Sequence, residues 1–178
     1  MSVALFTNNP QIQALCPCRE RLAFTQAGPQ VLQAVNLRVE SRLGSVLVFL
    51  DADAFSVVEA ARDCIHAGWL LLHHPLYGNY RPYQQPYRSI LLQSPAAPAN
   101  CTPGNEEIAQ VDESSLHLIE EALLIYNNSA ILAPGKAPAS LRDACAMLDR
   151  ELMRLPLEQA GLLRHGCDYA QSRKGPEI

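Results

Sequence analysis

One segment of the chain concentrates side chains that can bind anions or transfer protons. Residues 62–92 contain three histidines, three arginines, four tyrosines and three prolines. Histidine changes its charge near neutral pH, and a guanidinium group can bind two oxygens of a carboxylate or a phosphate at once. The segment therefore predicts a site for a small anion, and His74 is the candidate general acid or base if that site is catalytic.

Two adjacent histidines follow a predicted strand at residues 69–72, at an edge where α/β sheets commonly bind ligands. Neighbouring residues on an extended segment point to opposite faces, so His73 and His74 are poorly placed to bind one metal ion. No metal site is predicted. We expect one ring to be hydrogen-bonded inside the fold and the other to be exposed, and a ligand contact or an acid/base role is the alternative.

Arg81 and Arg88 flank a stretch that contains Pro82 and Pro86. The prolines stiffen this stretch and would hold the two guanidinium groups at a fixed separation, which suits a carboxylate or a phosphate. Ordinary surface ion pairing of the two arginines is the favoured interpretation, and the anion clamp is the alternative. The neighbouring tyrosines either line a pocket or cover the core; they are Tyr77, Tyr80, Tyr83 and Tyr87.

A second polar group follows the first predicted strand, Val3–Thr7. If this strand lies in the same parallel sheet, Thr7, Asn8 and Asn9 reach the same edge as His73. Their amides could bind an anion at the start of a helix that begins at Pro10, although capping of that helix by asparagine is the favoured role. The ligand-binding candidates are Thr7, Asn8, Asn9, His73, His74, Tyr77, Arg81, Tyr87, Arg88 and Ser89, and no cofactor is predicted because no glycine-rich phosphate loop is present.

The elements that position these residues alternate between strand and helix. A valine-rich strand at residues 46–50, a helix from a Ser56/Glu59 capping box to about Ala67, and a strand at residues 69–72 have the spacing of a parallel crossover. Gly68 suits the left-handed turn that ends the helix. Residues 89–92 form a further strand. We therefore predict an α/β domain with a small, mainly parallel sheet flanked by helices in a Rossmann-like three-layer arrangement.

The second half of the chain predicts a loop and two helices. Residues 94–105 lack periodicity and are expected to form an exposed loop, whereas residues 112–127 and 140–155 have helical periodicity and are expected to form a C-terminal helical pair. The last helix carries a stripe made of Leu141, Cys145, Leu148, Leu152 and Leu155, which fits the core or a contact in a homodimer. Residues 1–165 are expected to form one domain and residues 166–178 a flexible tail.

Composition excludes several classes of protein. The net charge is −4 and only 18% of the residues are charged, which argues against a nucleic-acid binder that works through bulk charge. No apolar run approaches the roughly 18 residues of a membrane span. The six cysteines are scattered, so we interpret them as thiols and the Cys16-Pro17-Cys18 motif as incidental. A cytoplasmic protein without membrane contact is expected.

Several motifs together resemble the GrdX family. They are TNNP at the end of the first strand, RDCIHAG, the pattern LLxHPLxGNxRPxxxPYxSILL, and the later segments SLHLIEEAL and LRDACAMLDRELM. Trp69 stands where the family usually has histidine, His73 where it usually has threonine, and residues 83–85 also depart from the pattern. The resemblance implies an association with the glycine, sarcosine and betaine reductases of amino-acid-fermenting anaerobes, in an accessory rather than a catalytic role.

Three hypotheses about function follow. The preferred one is an accessory or ligand-sensing protein in which Asn8, His74, Arg81 and Arg88 hold a small anionic metabolite or an acidic segment of a reductase component. The rival is a small enzyme that acts on a carboxylate or phosphate substrate, with His74 as acid or base and Arg81 or Arg88 as a clamp. A third hypothesis is that the leucine stripe is a dimer contact and that the polar loop, residues 73–88, is only a scaffold.

Overall fold

The computed structural model describes residues 2–16, 18, 20–40, 44–95 and 110–163. Five strands and five helices are formed by these residues: β1 (Val3–Thr7), α1 (Pro10–Leu15), β2 (Glu20–Phe24), α2 (Pro29–Glu40), β3 (Ser45–Leu50), α3 (Ala54–His66), β4 (Leu70–Leu71), β5 (Ser89–Gln93), α4 (Glu113–Asn127) and α5 (Ala139–Gln159). Two short 3-10 turns, Tyr77–Asn79 and Pro134–Lys136, lie in the connections.

The strands form one mixed sheet in the order β2-β3-β1-β5-β4. The β2/β3 and β1/β3 pairs are parallel, whereas β5 runs antiparallel to both β1 and β4. The α/β class is confirmed, but the expected mainly parallel sheet is a mixed one, and a Rossmann-like topology is not confirmed. The connection from β4 to β5 contains only a 3-10 turn, and a connection without a crossover helix returns the chain antiparallel to the strand before it.

Helices cover both faces of the sheet, because alternate residues of each strand point to opposite sides. Ala4 and Phe6 of β1 join a core cluster with buried residues of α2, α3 and α4. Val3 and Leu5 join a second cluster with buried residues of α1 and α5. The two predicted C-terminal helices are confirmed as α4 and α5, but they lie on different faces of the sheet: α4 packs on α3, and α5 packs on α1 and β5.

The strand-helix-strand unit from β3 to β4 is present, but its details differ from the prediction. Strands β3 and β4 run in the same direction with β1 and β5 between them. The predicted Ser56/Glu59 capping box is wrong, because α3 begins at Ala54 and is capped by Asp53, whose Oδ1 accepts a hydrogen bond of 3.0 Å from the Ser56 amide. Gly68 has the expected positive φ, +89°, just after α3.

The last helix, α5, runs through Pro156 to Gln159 instead of stopping at residue 155. Its leucine stripe divides between core and surface: Cys145 is buried, whereas Leu141 and Leu155 are 41% and 56% exposed. A homodimer contact through these leucines stays a prediction. Most of the predicted loop at 94–105 and all of the tail at 166–178 lie outside the described residues. Within the described part of the chain, no helix is both long and apolar enough to cross a membrane.

Candidate functional site

A cluster of buried polar side chains lies where the end of β1 meets the beginning of β5. The two strands are antiparallel, and their register places Thr7 opposite Ser89. The hydroxyl oxygens of Thr7 and Ser89 are 2.7 Å apart, and the Asn9 amide donates to the Thr7 hydroxyl over 3.0 Å. Asn8, Asn9 and Arg88 are also buried, so the polar groups at the end of β1 meet Arg88 and Ser89 at the beginning of β5.

Asn8 ties three segments together. Its Nδ2 donates to the carbonyl oxygens of Ala52 and Pro86, over 3.1 and 2.9 Å, and its Oδ1 accepts from the backbone amide of Arg88 over 2.8 Å. Both ends of the side-chain amide are therefore occupied by the backbone. This arrangement fixes the backbone of Arg88 relative to the loop between β3 and α3.

Asn9 joins the sheet to two helices. Its Oδ1 accepts from the Gln11 amide over 2.9 Å and caps α1, as predicted, with Pro10 at the first helical position. Its Nδ2 donates over 2.8 Å both to the carbonyl oxygen of Ala146 and to Oδ2 of Asp149. Asn9 therefore links β1 to α5, a contact that spans 140 residues of sequence.

Asp149 is the central residue of the cluster, and sequence reasoning missed it. It is fully buried in α5 and accepts hydrogen bonds from Asn9, from the hydroxyl of Ser89 over 2.9 Å, and from the hydroxyl of Tyr77. Burial raises the pKa of its carboxyl, although these donors and Arg88 oppose that shift. A signal was present: Asp149 stands four residues from both Cys145 and Met153 on the buried face of the helix.

Tyr77 connects the polar loop to this carboxyl. Its hydroxyl accepts from the Ser89 amide over 2.9 Å and donates to Asp149. Burial and the nearby Asp149 carboxyl raise the pKa of Tyr77 well above its usual value, so the phenol remains a donor. The Tyr77 ring also covers the guanidinium group of Arg88, whose Cζ lies 4.9 Å from the ring centroid, a geometry typical of a cation–π contact.

Arg88 is a buried cation with an incomplete set of partners. It is 1% exposed, its Nε donates to the Tyr126 hydroxyl over 3.3 Å, and its Nη1 donates to the Tyr77 carbonyl oxygen over 3.1 Å. Its Nη2 is buried and has no hydrogen-bond partner among the described residues. A buried donor without an acceptor lowers the stability of the folded state by about 1–3 kcal/mol, and by more when the group is charged. Among the polar atoms of the cluster, Nη2 of Arg88 would therefore gain most from a hydrogen-bond partner.

The two histidines have different environments, as predicted. His73 is half-buried, its Nε2 accepts from the Leu91 amide of β5 over 3.0 Å, and its Nδ1 lies 3.0 Å from the His74 carbonyl oxygen. These contacts assign the proton to Nδ1. His74 is exposed, and its Nδ1 accepts from the Leu76 amide over 3.0 Å.

The protonation of His73 predicts a loss of stability in acid. Burial lowers the pKa of His73 to about 4 from its ordinary 6.5. Because the folded pKa lies below the unfolded one, the stability that neutral His73 contributes is present above pH 6.5 and is lost as the pH falls toward 4. We expect the free energy of unfolding to fall by about 1–2 kcal/mol more between pH 7 and pH 5 than in a His73→Gln variant. Urea denaturation at both pH values measures this difference, and equal losses in the two proteins would contradict it.

The remaining candidates differ in their exposure to solvent. The Arg81 side chain is exposed, whereas Arg88 is buried, so the two guanidinium groups do not share one environment. Gln84 accepts at its Oε1 from the Arg81 backbone amide over 3.0 Å, which stabilises the turn itself. Tyr87 is buried with Cys145 and Ala146 of α5, while Tyr80 and Tyr83 are exposed.

The part of the chain that the structure describes includes cysteines and possible metal ligands. No group of three or more histidine, cysteine or acidic residues there could hold a metal ion. Cys16, Cys18, Cys64 and Cys145 are free and buried. Burial raises the pKa of Cys16 to about 12, and it also raises the pKa of Cys18. The reactive thiolate is therefore disfavoured at both positions.

A surface depression of about 340 Å³ lies elsewhere, on α4. It is lined by His117, Glu120, Glu121, Leu123, Leu124 and Asn127. None of these is a predicted site residue. The polar cluster at the β1/β5 edge is thus an interior site, and the opening on α4 is a separate feature with an acidic border.

Comparison with known proteins gives one match. The family model described as GrdX-like protein matches residues 34–158, which is well over half of the chain. The matched range contains the polar loop, β5 and most of α5. No curated protein and no solved structure matches.

Proposed function

Because the chain belongs to the GrdX-like protein family, we propose that it is an accessory protein of the glycine, sarcosine and betaine reductase systems that binds a small anionic metabolite. The association with these reductases follows the family resemblance, and the anion follows the geometry of the site. The binding centre is Arg88, at the edge where β1 meets β5. Thr7, Asn8, Asn9, Tyr77 and Ser89 form its framework.

The unpartnered Nη2 of Arg88 is the observation that carries the proposal. Arginine remains charged under all ordinary conditions, and a buried charge is costly unless hydrogen bonds or an opposite charge compensate for it. The two hydrogen bonds that the Arg88 guanidinium group makes go to neutral oxygens, those of Tyr77 and Tyr126. The Asp149 carboxyl lies near enough to interact with its charge but does not hydrogen-bond to Nη2. An anion at Nη2 would complete the set, and its binding would stabilise the folded protein.

The same geometry favours binding over catalysis. His74 is exposed and its Nδ1 is already engaged by the Leu76 amide, whereas Arg88 is buried. Arg81 is exposed as well. An enzyme that uses His74 as acid or base and Arg81 or Arg88 as a clamp requires the histidine and an arginine to converge on one point. The exposure of His74 and the burial of Arg88 do not support such convergence at the site proposed here.

A thermal-shift titration tests the proposal. The full chain is titrated with glycine, betaine, acetyl phosphate and nucleotides at constant ionic strength, beside an Arg88→Met variant. Methionine removes the charge while keeping an unbranched apolar side chain of comparable length. We expect at least one anion to raise the melting temperature of the wild type and to leave the variant unchanged, while an Arg81→Met control behaves like the wild type.

A pulldown with reductase components provides the second measurement. One contrary outcome is that the Arg88→Met variant captures a reductase component as well as the wild type does, while no metabolite changes the melting temperature. These two results together would contradict metabolite binding and would indicate a protein-docking role of the exposed side chains. No response and no capture would refute the proposal altogether.

A further inference from the structure

We propose that the anion is a monocarboxylate, and that Nη2 of Arg88 and the hydroxyl of Tyr126 bind its two oxygens. This inference rests on the function proposed above and specifies the class of ligand. It assigns a binding role to Tyr126, a residue of α4 that lies 38 positions from Arg88 in the sequence.

The geometry of a guanidinium group supports this ligand. Its Nε and Nη2 donate from the same edge, in parallel, and this edge matches the two oxygens of a carboxylate. In Arg88, Nε donates to the Tyr126 hydroxyl over 3.3 Å and Nη2 has no described partner. One half of the edge is therefore engaged by a neutral oxygen, and the other half has no partner among the described residues. A carboxylate would bind this edge through Nη2 alone, and its second oxygen would accept from the Tyr126 hydroxyl.

Tyr126 offers a second donor at the same place. It is 1% exposed, and its hydroxyl oxygen accepts from Arg88. A phenol can also donate its own hydrogen, and no acceptor for that hydrogen is found among the described residues. A carboxylate beside Nη2 would accept from both unused donors, Nη2 of Arg88 and the Tyr126 hydroxyl, through its two oxygens. A single neutral oxygen carries no charge to compensate Arg88 and cannot accept from both donors in this geometry as well.

The charge balance favours one negative charge over two. Among the described residues, Arg88 is the one buried cationic side chain, and Asp149 already contributes a buried carboxyl to the same cluster. With Arg88 and Asp149 both charged, a monocarboxylate leaves one excess negative charge in the interior and a dianionic phosphate leaves two, and the cost of buried charge favours the smaller excess. Two aromatic rings provide apolar surface near this position. The Tyr77 ring covers the Arg88 guanidinium group, and the Phe55 ring centroid lies 6.3 Å from that of Tyr126. Such surface suits the apolar part of a small carboxylic acid.

Entry to this position requires movement of its cover. The Nη2 atom is buried, and the Tyr77 ring lies over the guanidinium group. Tyr77 is the first residue of the 3-10 turn Tyr77–Asn79, in which Gly78 has a φ of +76°. This turn is the segment whose displacement would uncover Arg88.

Isothermal titration calorimetry of the full chain tests the inference. The titrants are acetate, glycine, betaine and inorganic phosphate at matched ionic strength, and the proteins are the wild type, Tyr126→Phe, Arg88→Met and the exposed-site control Tyr83→Phe. We expect a carboxylate to bind the wild type and Tyr83→Phe with equal affinity. It should bind Tyr126→Phe about tenfold more weakly, because one hydrogen bond to a charged group is lost. It should not bind Arg88→Met.

Each other outcome identifies which idea fails. Arg88-dependent binding of phosphate without any carboxylate would overturn this inference and leave the proposed function intact. A Tyr126→Phe variant that melts at a lower temperature but keeps wild-type carboxylate affinity would show that Tyr126 is only structural, and would also overturn it. Absence of binding by every titrant would refute the metabolite site itself.

Discussion

Replacing Asp149 with alanine is expected to lower the free energy of unfolding by about 3–5 kcal/mol, since it removes the acceptor at the centre of a buried network. The variant leaves Asn9 Nδ2 with one acceptor instead of two and leaves the Tyr77 hydroxyl without its acceptor. The Ser89 hydroxyl loses Asp149 and retains Thr7 Oγ1 as its hydrogen-bond partner. It also removes the one buried carboxylate near Arg88 among the described residues.

Urea denaturation at pH 7 measures this effect. Asp143→Ala is the matched control, because Asp143 lies on the same helix but is exposed, and surface substitutions usually change stability by less than about 0.5 kcal/mol. If the Asp149 and Asp143 variants are equally stable, the network does not hold α5 against the sheet. An Asp149→Asn variant, which keeps the shape and one acceptor, is expected to lie between alanine and the wild type.

Replacing Tyr77 with phenylalanine is expected to lower the free energy of unfolding by about 2–3 kcal/mol. The ring and its contact with Arg88 are retained, but the Ser89 amide loses its acceptor and Asp149 loses one donor. An unsatisfied buried amide costs about 1–3 kcal/mol, and loss of a hydrogen bond to a carboxylate adds to that.

The control for this variant is Tyr83→Phe, because Tyr83 is 56% exposed and its hydroxyl has access to water. The double variant Tyr77→Phe/Asp149→Ala adds a further test. Since Tyr77 and Asp149 are in direct contact, their effects are expected to be less than additive. Strict additivity would show that the two side chains do not act as one unit.

Local sequence patterns predicted the individual elements well. The all-apolar segment of β3 predicted a buried strand, Asn9 and Pro10 predicted the capped start of α1, and Gly68 predicted the end of α3. These features depend on residues within one turn or one strand, where periodicity, capping and backbone preference act directly. Errors arose where two local signals competed, as at the start of α3, where Asp53 rather than Ser56 is the cap.

The sequence by itself also determined that polar groups stand next to two strands, because Asn8 and Asn9 follow Thr7 at the end of β1 and Arg88 precedes Ser89 at the beginning of β5. The antiparallel direction of β5 brings the two groups to one edge. Only the tertiary structure decided what those groups do. The direction of β5, the burial of Arg88, the exposure of Arg81 and the central position of Asp149 all depend on contacts between distant segments, such as the 140 residues that separate Asn9 from Asp149. The physical reason is that desolvation and hydrogen-bond pairing are properties of the packed interior, and a residue's local neighbours in the chain do not determine which distant side chains will surround it.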